Sequence, residues 1–531
     1  MHYSLNNLGN ITSAQLIESI KTLPPGVTSL DLGLNDLGNK SESELIEIFK
    51  AIPACVTSVD LNDNKLDNKT GAELARALAA LHAGVKAVYL GSNVLGNKSE
   101  SELGYIFKAI PAGVTSVDLY SNNFENISGD ELARALVNLH AGVKSVNLSR
   151  NGLGNKSGAE LAGIFAVLPA GMTSLVLYVN DFHKKTGVEL AQAFEALPGG
   201  LKSLDLSSNY LYKKTGAELA NAFKALPDGL TSLKLCHNEF SKKIAAELKE
   251  AFTAIPTSVT SLDLTGNALG YIPRTELADA LKALPNGITS LNLSLNWYGV
   301  RGYKTVAELA NIFAVLPASL TSLDWSSNDF YNGSYSELAR AFAALPGNAM
   351  SLILDGNGLG YKTGAELAQA LSAFPANIKS VTIDSKNDSK IVNLDQFRAK
   401  QANQTKFATH LLTIKNKATE LSTRKCIEAS NAANNLYDTL TQLNAQYCIG
   451  QIDYSDFKTK SMETIKTARA ELEIHRGWKD ILANVALCVL GLGIGYLAIC
   501  AYRGSFFKFN TDSVNKLEEL ENSINSPAPT A

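Results

Sequence analysis

The segment "SLDLSSNYLYKKTGAELANAFKALPDGLT" (203–231) returns along the chain at a fixed interval. Near copies include "SVDLNDNKLDNKTGAELARALAALHAGVK" and "SLILDGNGLGYKTGAELAQALSAFPANIK". The asparagine that closes each LxLxxN falls at 35, 64, 93, 122, 151, 180, 209, 238, 267, 296, 328 and 357. Every step is 29 residues except that from 296 to 328, which is 32. Asn6 extends the register backwards, and Lys386 takes the next slot forwards, where the pattern decays. No other property restricts the fold so strongly. A unit this short cannot bury its own apolar face, so it must stack on its neighbours into one continuous core.

Each part of the unit has a physical task. The LxL alternates as a half-buried strand does. The asparagine ends the strand at a turn, where its amide can pair backbone groups left over in the core. Six residues later stands Ser or Thr, with Glu or Gln three beyond: Thr70 and Glu73, Ser99 and Glu102, Thr215 and Glu218. That capping box starts an amphipathic helix such as "AELANAFKAL". Eleven of thirteen units have it, Ile244 and Pro273 being the exceptions. A proline then ends the helix in eleven units, and His82 and His140 take its place in the other two. The N-x-[ST] triplets such as Asn68-Lys69-Thr70 follow from this register and are not read as glycosylation sites.

These units resemble leucine-rich repeats of the long, ribonuclease-inhibitor-like kind, over about residues 1–386. The resemblance implies an α/β solenoid, a horseshoe with a parallel sheet inside and helices outside. Thirteen strands at ~4.8 Å spacing give an inner arc of roughly 60 Å, enough for a protein domain.

On the implied concave face, the position four before each asparagine carries Asp31, Asp60, Asp118, Asp205, Asp263 and Asp324, which reads as repeat consensus. Departures carry more information. Tyr89, Tyr120, Val176, Tyr178 and Val179 put aromatic and apolar groups on this surface, with Arg150 among them. Such groups anchor protein interfaces. The three-residue insertion in "NWYGVRGYKT" places Trp297, Tyr298, Arg301 and Tyr303 on a rim loop, where repeat insertions often serve binding.

Residues 390–480 step in threes and fours (Phe407, Leu411, Ile414, Ala418, Leu421), predicting three amphipathic helices packed as a bundle from about 392 to 476. This region has 14 Lys/Arg against 10 Asp/Glu, a net of +4. Ile481 to Tyr502, "ILANVALCVLGLGIGYLAICAY", is then twenty-two residues without a charge. Spanning a bilayer takes roughly 20. Trp478 and Tyr502 sit at its ends, where amphipathic rings prefer the headgroup level, and Lys479 and Arg503 flank it. The expectation is one transmembrane helix, with a re-entrant hairpin as the other option. Gly491 and Gly495 give a GxxxG spacing that permits close helix contact. The domain reading is therefore 1–386 repeats, 390–478 bundle, 481–502 span and 503–531 polar tail.

The tail holds Glu518, Glu519 and Glu521. From "HRGWKD" through "FFKFNTDSVNKLEELE" it resembles the carboxyl terminus of Legionella-type effectors delivered by a type IV secretion system. In those proteins a glutamate-rich patch belongs to the export signal, so the resemblance implies a secreted virulence protein facing host cytosol. The start, "MHYSLNNLGNITSAQ", has neither the basic nor the apolar region of a secretory signal peptide.

No motif for catalysis, a cofactor or a metal emerges. The seven histidines never pair at ligand spacing, and Cys236 and His237 are adjacent, so on a strand they diverge. Six scattered cysteines without CxxC favour a reducing compartment. Net charge of −3 does not suggest nucleic acid. The expectation is a non-enzymatic, membrane-anchored scaffold for an unknown protein ligand of the host. Two rivals stay open. One is an enzyme with a catalytic helical domain, for instance cysteine-based ubiquitin transfer through Cys426 or Cys448, although Glu428 and Gly450 stand where the resembling ligases have aspartate. The other is a soluble inhibitor-like binder.

Overall fold

A computed structural model describes residues 1–6, 8, 11–297, 309–328, 330, 334–359, 364–384, 389–403 and 405–491. They form two compact units. The first comprises residues 1–304, 308–329 and 346–349, the second 305–307, 330–345 and 350–531.

In the first unit, twelve described three-residue strands run from His2–Ser4 to Ser322–Asp324, each pairing in parallel with its neighbours in chain order. The register is one repeat: Ser29 faces Ser58, Leu30 faces Val59, Asp31 faces Asp60. The middle residue of each strand is buried and its flanks are part-exposed, as a period of two requires.

The asparagines occupy the strand ends as a buried ladder. Asn151 is fully buried, and its amide donates to the carbonyls of Leu119, Leu148 and Ser149 at 2.9, 3.1 and 3.0 Å. Its Oδ1 accepts the backbone N–H of Asn122 at 2.8 Å, and its own N–H donates to Asn180 Oδ1 at 3.1 Å. The same pattern links Asn35 to Asn64 and Asn209 to Asn238. Left-handed residues flank each rung, for example Ser208 and Tyr210, both at φ 54°.

A second ladder holds the helix starts, and the sequence pattern concealed its purpose. The lysine before the cap is buried: Lys98, Lys156, Lys185, Lys214 and Lys243 are all at or below 9% exposure. Lys98 Nζ donates to the Asp67 carbonyl at 3.1 Å and to that of Lys69 in the preceding repeat; Lys214 and Lys243 likewise reach the carbonyls of Lys185 and Lys214. Burial pulls the Lys98 ammonium below the usual lysine range.

The box glutamate serves two repeats. Glu189 accepts the Thr186 N–H at 2.8 Å and the Gly158 N–H of the repeat before at 3.3 Å, and it pairs with Lys185 at 3.3 Å. The Thr186 amide, first among these, holds its carboxyl at about 2. Ile244 and Pro273 start their helices without a side-chain cap, as expected. His82 and His140 replace proline by accepting, through Nδ1, the N–H of Gly84 and Gly142 at 3.1 and 3.2 Å.

Glycine at the first helical position follows from this sharing. Gly187 N–H donates to Glu218 Oε1 at 3.1 Å, and a Cβ at 187 would lie 2.6 Å from both Cα and Cβ of Glu218. Alanine for glycine in a helix normally stabilises by up to ~1 kcal/mol. Here Gly187→Ala is expected to destabilise by roughly 1–3 kcal/mol through overpacking. The urea midpoint should fall; a rise would contradict the packing account.

In the second unit, Ser351–Leu354 pairs in parallel with Ser380–Asp384, and Ser389–Asn393 then returns antiparallel. That reversal has no counterpart in the repeat. Helices Leu394–Asn403, Thr405–Thr423, Ile427–Cys448, Tyr454–Leu472 and Trp478–Gly491 follow. Turns at Lys425 and Gly450, both left-handed, fall at the breaks that the sequence suggested.

Three helices were expected here, and five are found. The apolar run accounts for part of the difference: Trp478–Gly491 joins the bundle, with Trp478, Leu482, Val485 and Val489 buried alongside Phe407, Phe457 and Leu472. The Tyr454 hydroxyl donates to the Leu490 carbonyl at 2.8 Å. Trp478 is thus 1% exposed in a protein core, not set at headgroup level, while Lys479 is exposed. Among the described residues no helix is long and apolar enough to cross a membrane. Hydropathy alone cannot separate a core helix from the start of a span. Residues 492–531, with Gly495, Tyr502, Arg503, Glu518, Glu519 and Glu521, lie outside the described residues.

Candidate binding face of the repeat sheet

The strand-end aspartates have a local function that explains the consensus. Asp31, Asp60, Asp118, Asp205, Asp263 and Asp324 each accept, through Oδ1, the backbone N–H two residues on, at 2.8–3.0 Å. Asn147 and Asn292 do the same at 2.9 Å. The bond turns the chain out of the strand, as Asx side chains do in turns.

Tyr89, Val176 and Lys234 stand at this position and cannot accept it. At Gly91 the neighbouring repeat substitutes, Asn62 Oδ1 accepting its N–H at 2.6 Å; at Cys236, Ser207 Oγ does so at 3.1 Å. A local rule broken and patched from next door marks a position held for another purpose. Lys234 is exposed and belongs with the departures, although the sequence reading passed over it. The signal was there: a cation in an Asp/Asn column.

The structure brings the predicted residues together around Arg150. Tyr120, Ser149 and Tyr178 occupy one register position on successive strands, and Ser149 is small and buried. The exposed Arg150 side chain lies between the two rings, its guanidinium 5.8 Å from the Tyr120 centroid and 6.0 Å from that of Tyr178. Its backbone N–H donates to the Tyr178 carbonyl at 2.9 Å. Cation–π contacts at exposed sites are worth ~0.5–1 kcal/mol each, so the guanidinium is oriented while its donors stay free for a ligand. Tyr89, Val176 and Val179 are part-exposed on the same face.

Trp297 is placed elsewhere. It is 5% exposed and stacks on Trp325 with centroids 4.4 Å apart, so its ring fills the core and does not stand at the rim. Tyr298, Arg301 and Tyr303 lie outside the described residues. A neighbouring aromatic–basic group went unnoticed in the sequence: Lys242 lies 4.3 Å from the Tyr212 centroid, and His183 meets Tyr210 edge-on at 5.3 Å.

Chemistry that would make this face catalytic is not apparent. Burial pushes the Cys236 thiol up to about 12, which leaves it protonated. Cys448 is buried and Cys426 part-exposed. Among the described residues no group of three or more His, Cys, Asp or Glu could hold a metal.

Parallel strands, a buried asparagine ladder, a tight turn and a helix, repeated every 29 residues, define a leucine-rich-repeat solenoid. Similar solved structures include the leucine-rich-repeat-containing protein LegL7 from Legionella pneumophila, 29% identical over 73% of this chain and 91% of that one, with a TM-score of 0.44. A chain in the yeast Rad7–Elc1 complex is 15% identical over 66% and 85%, with a TM-score of 0.39. No protein-family profile and no curated protein matches.

Val179 shows that this face was not shaped for stability. It is β-branched yet sits at φ 51°, in a slot where another repeat has Gly266 at φ 68°. The left-handed region costs an L-residue roughly 1–2 kcal/mol. Val179→Gly is therefore expected to stabilise by about 1 kcal/mol in urea unfolding while weakening capture of a protein ligand. A destabilised variant would remove the strain argument.

Proposed function

We propose that the protein is a membrane-anchored binding scaffold that holds one protein ligand on the solvent-facing side of its repeat sheet. The observation that carries this reading is the Arg150 guanidinium set between Tyr120 and Tyr178 on an open surface. Tyrosine and arginine are the side chains most often found as interface hot spots, since each combines a large contact area with directed polar atoms. Val176 beside them has given up a turn bond for an apolar side chain.

The anchor in this proposal is the uncharged run from Ile481 to Tyr502, flanked by Lys479 and Arg503. Its first half is packed among bundle helices, so insertion would require Trp478–Gly491 to leave that core. Tethering would raise the effective concentration of the scaffold against a membrane-bound target. Export by type IV secretion and a host ligand rest on the tail, with Glu518, Glu519 and Glu521, and its resemblance to effector termini.

One experiment with two readouts tests the proposal. Tagged full-length chain is expressed in host cells, membranes are washed in alkaline carbonate, and bound proteins are recovered after detergent extraction. The chain should stay with the membrane pellet, and Tyr120→Ala/Tyr178→Ala should lose about tenfold or more of the captured ligand. Release into the wash would remove the anchor. Equal capture by both forms would remove the binding face.

A further inference from the structure

The strand-end aspartates carry more charge than their local bond requires. That bond needs one acceptor oxygen, and Asn147 and Asn292 supply it as neutral amides at the same 2.9 Å as Asp31, Asp205 and Asp324. Six of eight such positions nevertheless hold a carboxylate.

Keeping those charges works against the fold. Burial raises the Asp60 and Asp118 carboxyls above the usual range, and for Asp60 the neighbouring Asp31 and Asp118 charges add to it. A carboxylate raised in this way destabilises the folded state above its titration, and the penalty vanishes on acidification. Nothing nearby compensates. Among the described residues, none of the six has a Lys, Arg or His nitrogen within 4 Å, although Lys234 lies between Asp205 and Asp263 in register. On the helix side the chain does pair its carboxylates, Arg134 with Glu100 at 2.6 Å and Arg76 with Glu42.

We infer that the sheet face is electrostatically complementary to a basic protein surface, one that presents several Lys or Arg side chains along the row from Asp31 to Asp324. The inference deepens the binding reading above and rests on it. Complementary charge steers encounter and rejects acidic competitors more than it adds raw affinity. The Arg150–tyrosine group then lies within an acidic row as an aromatic anchor.

The test uses the full-length chain and a fluorescein-labelled oligo-arginine peptide, read by anisotropy at low salt. Asp60→Asn/Asp205→Asn/Asp263→Asn/Asp324→Asn keeps every acceptor and removes four charges. Glu47→Gln/Glu195→Gln/Asp228→Asn/Asp279→Asn removes four exposed charges from the helices and the turns after them. The sheet variant should bind the peptide about tenfold more weakly or worse, the helix-side variant nearly as the parent does, and added salt should erase the difference. The sheet variant should also melt no lower than the parent at neutral pH. Equal loss in both variants, no loss in either, or a lower melting temperature of the sheet variant would each overturn the inference. Tyr120→Ala/Tyr178→Ala retains all six carboxylates and should bind the peptide normally, so failure of the anchor and failure of the charge argument read out separately.

Discussion

The buried asparagine at each strand end is the interaction on which the repeat unit depends. A three-residue strand makes few ladder bonds of its own, and its outgoing turn would leave carbonyls and amides without water in the core. A single unpaired buried group costs ~1–3 kcal/mol. Asn151 alone satisfies three carbonyls and one amide, and it draws on both neighbouring repeats. It cannot be satisfied in isolation, so each repeat is completed by the next. Left-handed residues on either side follow, as does the sharp exit that sends the chain towards its helix.

Because the ladder fixes the backbone, side chains on the solvent-facing side of the sheet are free to vary. The fold needs one acceptor at the strand-end position and tolerates a left-handed residue beside the asparagine. Where Tyr89, Val176 and Lys234 replace the acceptor, a neighbour covers the loss or the bond is forgone. Where Val179 and Arg150 take the left-handed slot, the chain accepts strain. These exceptions fall close together, and they surround the Tyr120–Arg150–Tyr178 group. Surplus carboxylates along the same row belong to the same picture: a surface that spends stability on recognition.

Much of this was legible in the residues. Period 29 with LxLxxN implied strand, turn and helix in order, and Ser or Thr followed by Glu implied the caps. The tyrosine–arginine grouping was readable because residues one repeat apart share a register. Other features were hidden for physical reasons. Buried lysines look like surface residues until their Nζ is traced to the preceding repeat's carbonyls, as for Lys98 and Lys243. Trp297 looked like a rim residue because nothing in its own segment reveals the stack on Trp325. The antiparallel strand Ser389–Asn393 lies beyond the repeat and carries no periodic signal. Trp478 and the residues after it have the hydropathy of a span, yet the bundle buries them, because lipid and a protein core select the same side chains.

The central claim is that one face of the repeat sheet, and not the helical side, meets the ligand. Site-specific photocrosslinking in host cells tests it most directly, with benzoylphenylalanine placed at Tyr178 on the sheet and at Glu195 on a helix. A ligand adduct from position 178 with none from 195 is the result expected. Adducts from 195, with 178 silent, would place the ligand on the opposite side and contradict the account.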